Sequence, residues 1–223
     1  MEKRVLTVLR ASEEFQPRHV LALKRQLTRY TPDAEMVCLS NVDVPGVKCI
    51  RAKYDWPDWW SKMEMCRPDI RGDFLLSDLD NVFVGSLDDI LSIGMYTTQK
   101  GESNALAYMT EEVRARIWEE WMKNPEGHMH FWHPRNTPVK TQFGDGGFIK
   151  SLMSADSHWE DALPNQVINI AWLGLTRSGR QPWPLRLDRS MILPPEARVL
   201  LCWRPWRPWK VPLLRRFGMY DFV

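Results

Sequence analysis

Apolar positions along the chain fall into short runs and helical stripes that alternate. Val5–Leu9 is an apolar, β-branched run of strand length with no polar alternation, the pattern of a strand buried on both faces. Val20, Leu23, Leu27 and Tyr30 then recur at helical spacing, with Lys24, Arg25 and Arg29 on the other side. This predicts a helix over 18–30, stopped at Thr31-Pro32-Asp33, and a second strand over 36–39. Strand, helix and strand in that order imply a parallel α/β unit. Further on, 61–66 reads as a short amphipathic piece, and 74–76 and 82–84 read as buried strands. Val113, Ile117 and Trp121 mark a helix over 111–123. Residues 124–147 read as loop-rich, 148–153 as helical, 167–175 and 191–193 as strands, and the tail from 204 as irregular or a short helix packed on the body.

The 223 residues make a single domain at roughly 150 residues per domain. Charged residues are 26% and hydrophobic ones 44%, which excludes a disordered chain or a coiled coil. A net charge of +2 gives no global field for nucleic acid, so any basic patch is local. No apolar run has membrane-spanning length, and the apolar stretch after Arg4 is too short for a secretory signal, so a cytoplasmic location is expected. Cys38, Cys49, Cys66 and Cys202 are scattered without metal spacing and read as reduced structural thiols. His128, His130 and His133 lack a neighbouring carboxylate or Cys partner, and zinc is set aside.

Asp78-Leu79-Asp80 follows a buried strand directly. Two carboxylates two residues apart share a side of an extended chain. They lie where open α/β sheets bind ligands. The pair admits two readings, a solvated acidic turn or a site for a hard cation shared with substrate phosphates.

The stretch around this pair resembles the sugar-nucleotide core of GT-A glycosyltransferases. The resemblance rests on Trp59-Trp60-Ser61-Lys62, on Asp78-Leu79-Asp80 sixteen residues after Lys62, and on Leu87-Asp88-Asp89-Ile90. Glycogenin-like and lipopolysaccharide glycosyltransferases are similar here, as are small glycosyltransferase-like proteins of bacteria and phages. What the resemblance implies is one α/β GT-A domain, Rossmann-like, with a mostly parallel central sheet. Residues 1–95 would form the donor half, 96–200 the acceptor half and 201–223 a basic Trp/Pro-rich tail.

By the same resemblance, Asp80 ligates Mn²⁺ or Mg²⁺, and Asp78 meets the metal or the donor ribose. Leu79 sits between them in the donor set, and Lys62 meets donor sugar or phosphates. Phe15 stacks on the nucleotide base, with Thr7 and Leu9 lining its pocket. Asn41 stands where relatives often carry Asp. Gly144-Asp145-Gly146-Gly147 resembles a Gly-Asp-Gln element, with Gly146 in place of Gln. Asp145 would then face donor sugar and acceptor as an orienting group or base, or else cap the helix. Cys202-Trp203-Arg204-Pro205-Trp206-Arg207-Pro208-Trp209 resembles a late element whose His ligates metal; Trp203 holds that position. Arg204 and Arg207 would carry phosphate charge.

The expected activity is transfer from a nucleotide-diphosphate sugar, a UDP-sugar first, to a hydroxyl. The tail sets Trp203, Trp206, Trp209, Arg207, Lys210, Arg215 and Arg216 together, a pattern suited to phosphate backbone and unstacked bases. This makes a hydroxymethylated pyrimidine of phage DNA the first acceptor to consider. The alternatives are a glycan or lipopolysaccharide, a protein or small molecule, and a non-catalytic relative that binds sugar nucleotide or nucleic acid.

Overall fold

The computed structural model describes residues 2–101, 104–138, 143–170, 193–202, 207–210 and 214–215. In chain order the elements are β1 (Arg4–Leu9), α1 (Pro17–Tyr30), β2 (Glu35–Ser40), β3 (Lys48–Arg51) and a 3-10 helix (Asp58–Cys66). Next come β4 (Phe74–Ser77), β5 (Val82–Phe83), α2 (Asp88–Leu91), β6 (Thr97–Thr98), β7 (Leu106–Met109), α3 (Glu111–Trp121) and α4 (Pro125–Phe131). The rest are α5 (Gly144–Leu152), β8 (Ser157–His158), α6 (Trp159–Ala162), β9 (Val167–Asn169), β10 (Val199–Leu201) and a 3-10 turn (Pro208–Lys210).

A seven-stranded sheet runs in the order β3-β2-β1-β4-β7-β6-β8. All its strands share one direction except β7, which is antiparallel to both β4 and β6. The expected α/β class with a mostly parallel sheet is therefore found. A second sheet, β5-β10-β9, has three strands.

Alternation along the central strands builds two cores. Val5, Met36, Leu75, Leu106 and Tyr108 face Leu23 and Leu27 of α1. Leu6, Val37, Leu76, Ala107 and Met109 face the opposite layer, made by the 3-10 helix, α3 and α5 through Trp60, Met63, Ile117, Trp121 and Phe148. Runs without polar alternation are what a strand covered on both faces requires.

Several expectations change. The loop-rich segment contains α4, capped by the Asn124 side chain on Gly127 N at 2.9 Å with Pro125 at its first position. No residue of the helix is fully buried, so it has no apolar stripe to be read from sequence. Helix α5 begins at Gly144, four residues before the predicted start. Strands β3, β6, β7, β8 and β10 were not predicted: β3 is largely exposed, β6 and β8 have two residues each, and β7 and β10 are buried apolar runs of only four and three residues. Strand β9 starts the predicted 167–175 strand, and 171–175 lie outside the described residues. Of 191–193 only Leu193 is described, and it is not in a strand. All four cysteines are free. No helix among the described residues is long and apolar enough to cross a membrane.

Candidate functional site

Parallel neighbours β1 and β4 end side by side, and the chain beyond each lines one cleft of about 700 Å³. The cleft thus lies at the carboxyl ends of parallel strands, the general ligand position of open α/β sheets. Its volume is that of an ordinary small-molecule site. Phe15, Lys62, Asp78, Leu79, Asp80, Asp145 and Arg207, predicted from distant parts of the sequence, all line it.

Asp78 and Asp80 sit in a turn rather than on extended strand. Asp78 N donates to Ala105 O at 2.8 Å, and Asn81 N donates to Asp78 O at 3.2 Å. The buried Asn81 amide donates to Ala105 O at 2.6 Å and to Ser77 Oγ at 3.1 Å. Leu79 anchors the turn by packing with Leu9, Val20, Cys38 and Val44. Both carboxylates reach the cleft through this turn.

Lys62 projects from the 3-10 helix between two carboxylates. Its Nζ lies 3.2 Å from Asp78 Oδ1 and 3.0 Å from Asp145 Oδ2. Burial disfavours its charge, but the charges of Asp145 and Asp78 outweigh burial, and its pKa is raised. Asp145 stands in the first turn of α5, not at the cap. The positive helix end favours a carboxylate there.

The tail reaches the site through the second sheet. Strand β5 begins two residues after Asp80, and β10 runs antiparallel to it, with Leu200 opposite Val82. The chain leaving β10 therefore emerges beside Asp80. Arg207 NH1 donates to Asp80, its Nε donates to Glu14 at 2.9 Å, and its guanidinium lies 4.9 Å from the Phe15 ring centre. Burial foremost, then the nearby Asp78 charge, raise the Asp80 pKa to about 7 against the pull of Arg207. Burial likewise raises Asp78, while Lys62 opposes.

Two predicted base-pocket residues lie outside the large cleft, although Leu9 lines a small adjoining pocket with Val8, Arg10 and Asn41. Thr7 and Leu9 are buried in the body of the protein, and neither lines the cleft. Val8 and Arg10 line it instead. The cleft opens on the sheet face covered by the 3-10 helix and α5, and the period-2 alternation that sends Leu6 there also sends Val8. Asn41 Oδ1 accepts from Ala11 N at 2.9 Å and fixes the loop after β1.

The tail residues divide. Trp209 is buried, 4.2 Å from the His19 ring and 5.8 Å from Phe15. Arg215 is half-buried and donates to Trp209 O at 2.7 Å, while Lys210 is exposed. Trp203, Arg204, Trp206 and Arg216 lie outside the described residues.

Sequence reasoning missed Glu14, His19 and Phe143, and left Trp56, Trp59 and Trp60 open among core, acceptor platform and dimer surface, with core and donor-site wall preferred; Trp59 lines the cleft. Position gave a signal for two of the missed residues: Glu14 and His19 flank Phe15 just after the first strand. His19 is neutral, its pKa lowered to about 4 by burial, and its Nδ1 accepts from Gln16 N at 2.9 Å.

Among the described residues the lining carboxylates are Glu14, Asp58, Asp78, Asp80 and Asp145, and the lining cations are Arg10, Lys62 and Arg207. Carboxylates therefore exceed cations before any phosphate enters. Buried hard oxygens in excess of positive charge suit a hard divalent cation. Asp78 and Asp80 are the residues that would hold it. Among the described residues no third His, Cys, Asp or Glu completes a metal cluster with them. Remaining ligands would come from phosphate and water, as is common for such ions.

No protein-family model matches the chain, and no curated protein matches it by sequence. In structure it is similar to the glycosyltransferase GlyE of Streptococcus pneumoniae TIGR4, with a TM-score of 0.69 and 13% identity. The similarity covers 100% of this chain and 60% of GlyE, so the chain spans about 60% of that protein's length. It is also similar to the galactosyltransferase LgtC, solved in complex with donor and acceptor sugar analogs. That match has a TM-score of 0.61 and 11% identity, over 97% of this chain and 94% of LgtC. At these identities the likeness is one of fold: the chain has the GT-A-type glycosyltransferase fold.

Proposed function

We propose that this protein transfers a sugar from a nucleotide-diphosphate sugar, a UDP-sugar first, to an acceptor hydroxyl, with Mn²⁺ or Mg²⁺ as cofactor. The observation that carries this reading is Lys62 held between Asp78 and Asp145, beside the Arg207–Asp80 pair, in one cleft. Transfer breaks the bond from the anomeric carbon to the phosphate oxygen, and the electron pair leaves with the nucleoside diphosphate. The acceptor oxygen forms the new bond. Asp145 would accept the hydroxyl's hydrogen bond and take its proton. Lys62 and Arg207 supply fixed positive charge for the departing diphosphate. A divalent ion on Asp78 and Asp80 would add Lewis-acid stabilisation of that phosphate. Phe15 offers a half-buried ring at the nucleotide end.

A hydroxymethylated pyrimidine of phage DNA as acceptor draws its support from the sequence pattern of the tail. The described tail residues Arg207 and Trp209 face inward to the donor end, which leaves Lys210 as the exposed basic group among them. A glycan acceptor needs no such patch, and LgtC was solved with an acceptor sugar analog.

The test is thermal unfolding with UDP, GDP, CDP and ADP, each with Mn²⁺ or with EDTA. Ligand at 100 times its Kd stabilises by about 2.7 kcal/mol, a shift of roughly 5–11 °C for this size. We expect a metal-dependent shift with one nucleotide, absent in Asp80→Ala. Metal-dependent hydrolysis of the matching sugar nucleotide would separate an enzyme from a binding relative. No shift with any nucleotide would overturn the donor reading.

A further inference from the structure

Beyond the Lys62–Asp145 pair the cleft carries two large apolar side chains turned to solvent. Trp59 is 37% exposed and Phe143 is 47% exposed. Their ring centres are 6.2 Å apart at 57°, so together they make an aromatic corner. Both line the cleft that holds Asp145, and Phe143 immediately precedes α5, which carries it.

The corner is built rather than incidental. Asp58 takes φ +49°, a left-handed conformation that Asp tolerates better than most residues, where the chain enters the 3-10 helix. Ser61 Oγ donates to Asp58 O at 2.8 Å and ties that turn. The neighbouring Trp60 goes into the core, stacked 5.3 Å from Trp121, while Trp59 stays in the cleft. Gly144 has φ +66°, and a Cβ there would stand 2.7 Å from Trp59 Nε1. The glycine lets the indole lie against the start of α5, one residue from Asp145. Gly144 N donates to Trp132 O at 2.8 Å, which holds this backbone in place.

The charge around the corner selects the partner. Asp58 and Asp145 line it, and Asp55 is nearly fully exposed nearby. Among the described residues the cations beside them are already engaged: Arg10 with Asp55 at 2.7 Å, and Lys62 with Asp78 and Asp145. A nucleic acid brings one charge per roughly 1.7 Å of duplex and would meet carboxylates here. A neutral saccharide meets complementary groups. Its C–H face fits the electron-rich indole face, and its hydroxyls donate to carboxylates.

We propose that Trp59 and Phe143 form the acceptor subsite and that the acceptor is a neutral saccharide stacked on Trp59, with a hydroxyl directed at Asp145. The inference rests on the glycosyl-transfer reading and names the substrate class of the same cleft.

Saturation-transfer NMR tests it with lactose, maltose, cellobiose, xylobiose and N-acetyllactosamine, each with and without UDP and Mn²⁺. A short duplex containing 5-hydroxymethylcytosine is the competing probe. At least one disaccharide should bind. Trp59→Ala should weaken that binding about tenfold or more, and Trp59→Tyr should retain it. The nucleotide-induced thermal shift should be the same in both variants, which separates a lost subsite from a damaged fold. In turnover, Trp59→Ala should raise the acceptor KM far more than it lowers kcat. Binding of the duplex with no binding of any disaccharide would overturn the proposal. So would disaccharide signals that survive Trp59→Ala, or no disaccharide signal at all. Absence of every nucleotide shift sinks the transfer reading instead, while the disaccharide signals still decide whether Trp59 is a saccharide platform.

Discussion

One 3-10 helix carries two buried charges with opposite fates. Lys62 faces the cleft, and Glu64, two residues on, faces the protein. The Glu64 side chain is 1% exposed and accepts from Lys53 N at 2.6 Å, Tyr54 N at 3.1 Å and Arg67 NH1 at 2.7 Å. Arg67 in turn donates to Arg51 O and to both oxygens of Asp69. In that cluster each charge is matched by protein groups, and none of Glu64, Arg67 and Asp69 lines the large cleft. The cleft cluster is not matched in this way. Among the described residues its carboxylates outnumber its cations, and burial raises the pKa of both Asp78 and Asp80. A balanced buried cluster holds chain segments together, whereas an unbalanced one is completed by a ligand of the missing sign.

The largest expected effect breaks the unbalanced side. Asp80→Asn should lower transfer by about 10³-fold, the scale of losing one preorganised electrostatic group. It should not destabilise the fold. Asp80 has a folded pKa of about 7, above its ordinary 3.8. The folded state therefore keeps a proton that the unfolded chain has lost. Stability contributed by that proton is present at low pH and declines as pH rises from about 4 through 7. Asp80→Asn should match wild type in Tm near pH 4 and exceed it increasingly toward pH 8. Mn²⁺ should raise the wild-type Tm more at pH 8 than at pH 5, and should leave the variant nearly unmoved. Scanning calorimetry across that range checks both signs. A variant that is less stable at pH 8 would remove the contrast between the two clusters.

Glu64→Ala breaks the balanced side, with the opposite outcome. It strips Arg67 of one carboxylate and leaves two part-buried backbone N–H groups without their acceptor. Removing one member of a buried pair costs about 3–5 kcal/mol, a Tm loss of roughly 6–20 °C here. The folded protein should still show the metal-dependent nucleotide shift. Circular dichroism melts with and without nucleotide separate the two results.

What was legible in the sequence follows from what each residue answers to. Asp78, Asp80 and Lys62 were visible because chemistry fixes their types and spacing. The strands Val5–Leu9 and Phe74–Leu76 were visible because burial on both faces demands unbroken apolar runs. The face of β1 that borders the cleft was not visible. Such a run has no polar alternation to mark it, so Thr7 and Leu9 were assigned where Val8 and Arg10 stand. Helix α4 was hidden because none of its residues is fully buried, although Asn124-Pro125 marks its start. Trp59 and Trp60 are chemically identical neighbours. Only the turn at Asp58 and the packing against Gly144 separate the exposed one from the buried one.

That last distinction gives the smallest effect and a controlled way to sharpen the comparison. Gly144 and Gly46 both take left-handed φ, +66° and +77°. A Cβ at Gly46 meets nothing within 4 Å, so Gly46→Ala reports the backbone conformation alone, about 1–2 kcal/mol. Gly144→Ala carries the same backbone cost and also drives a methyl into Trp59 Nε1. It should therefore melt lower than Gly46→Ala and displace the indole from the start of α5. A shift in tryptophan emission together with weaker disaccharide binding in Gly144→Ala, and neither in Gly46→Ala, would place the glycine in the service of the cleft. Equal melting and equal emission would mean that the indole yields freely, and the aromatic corner would lose its claim to be held in place.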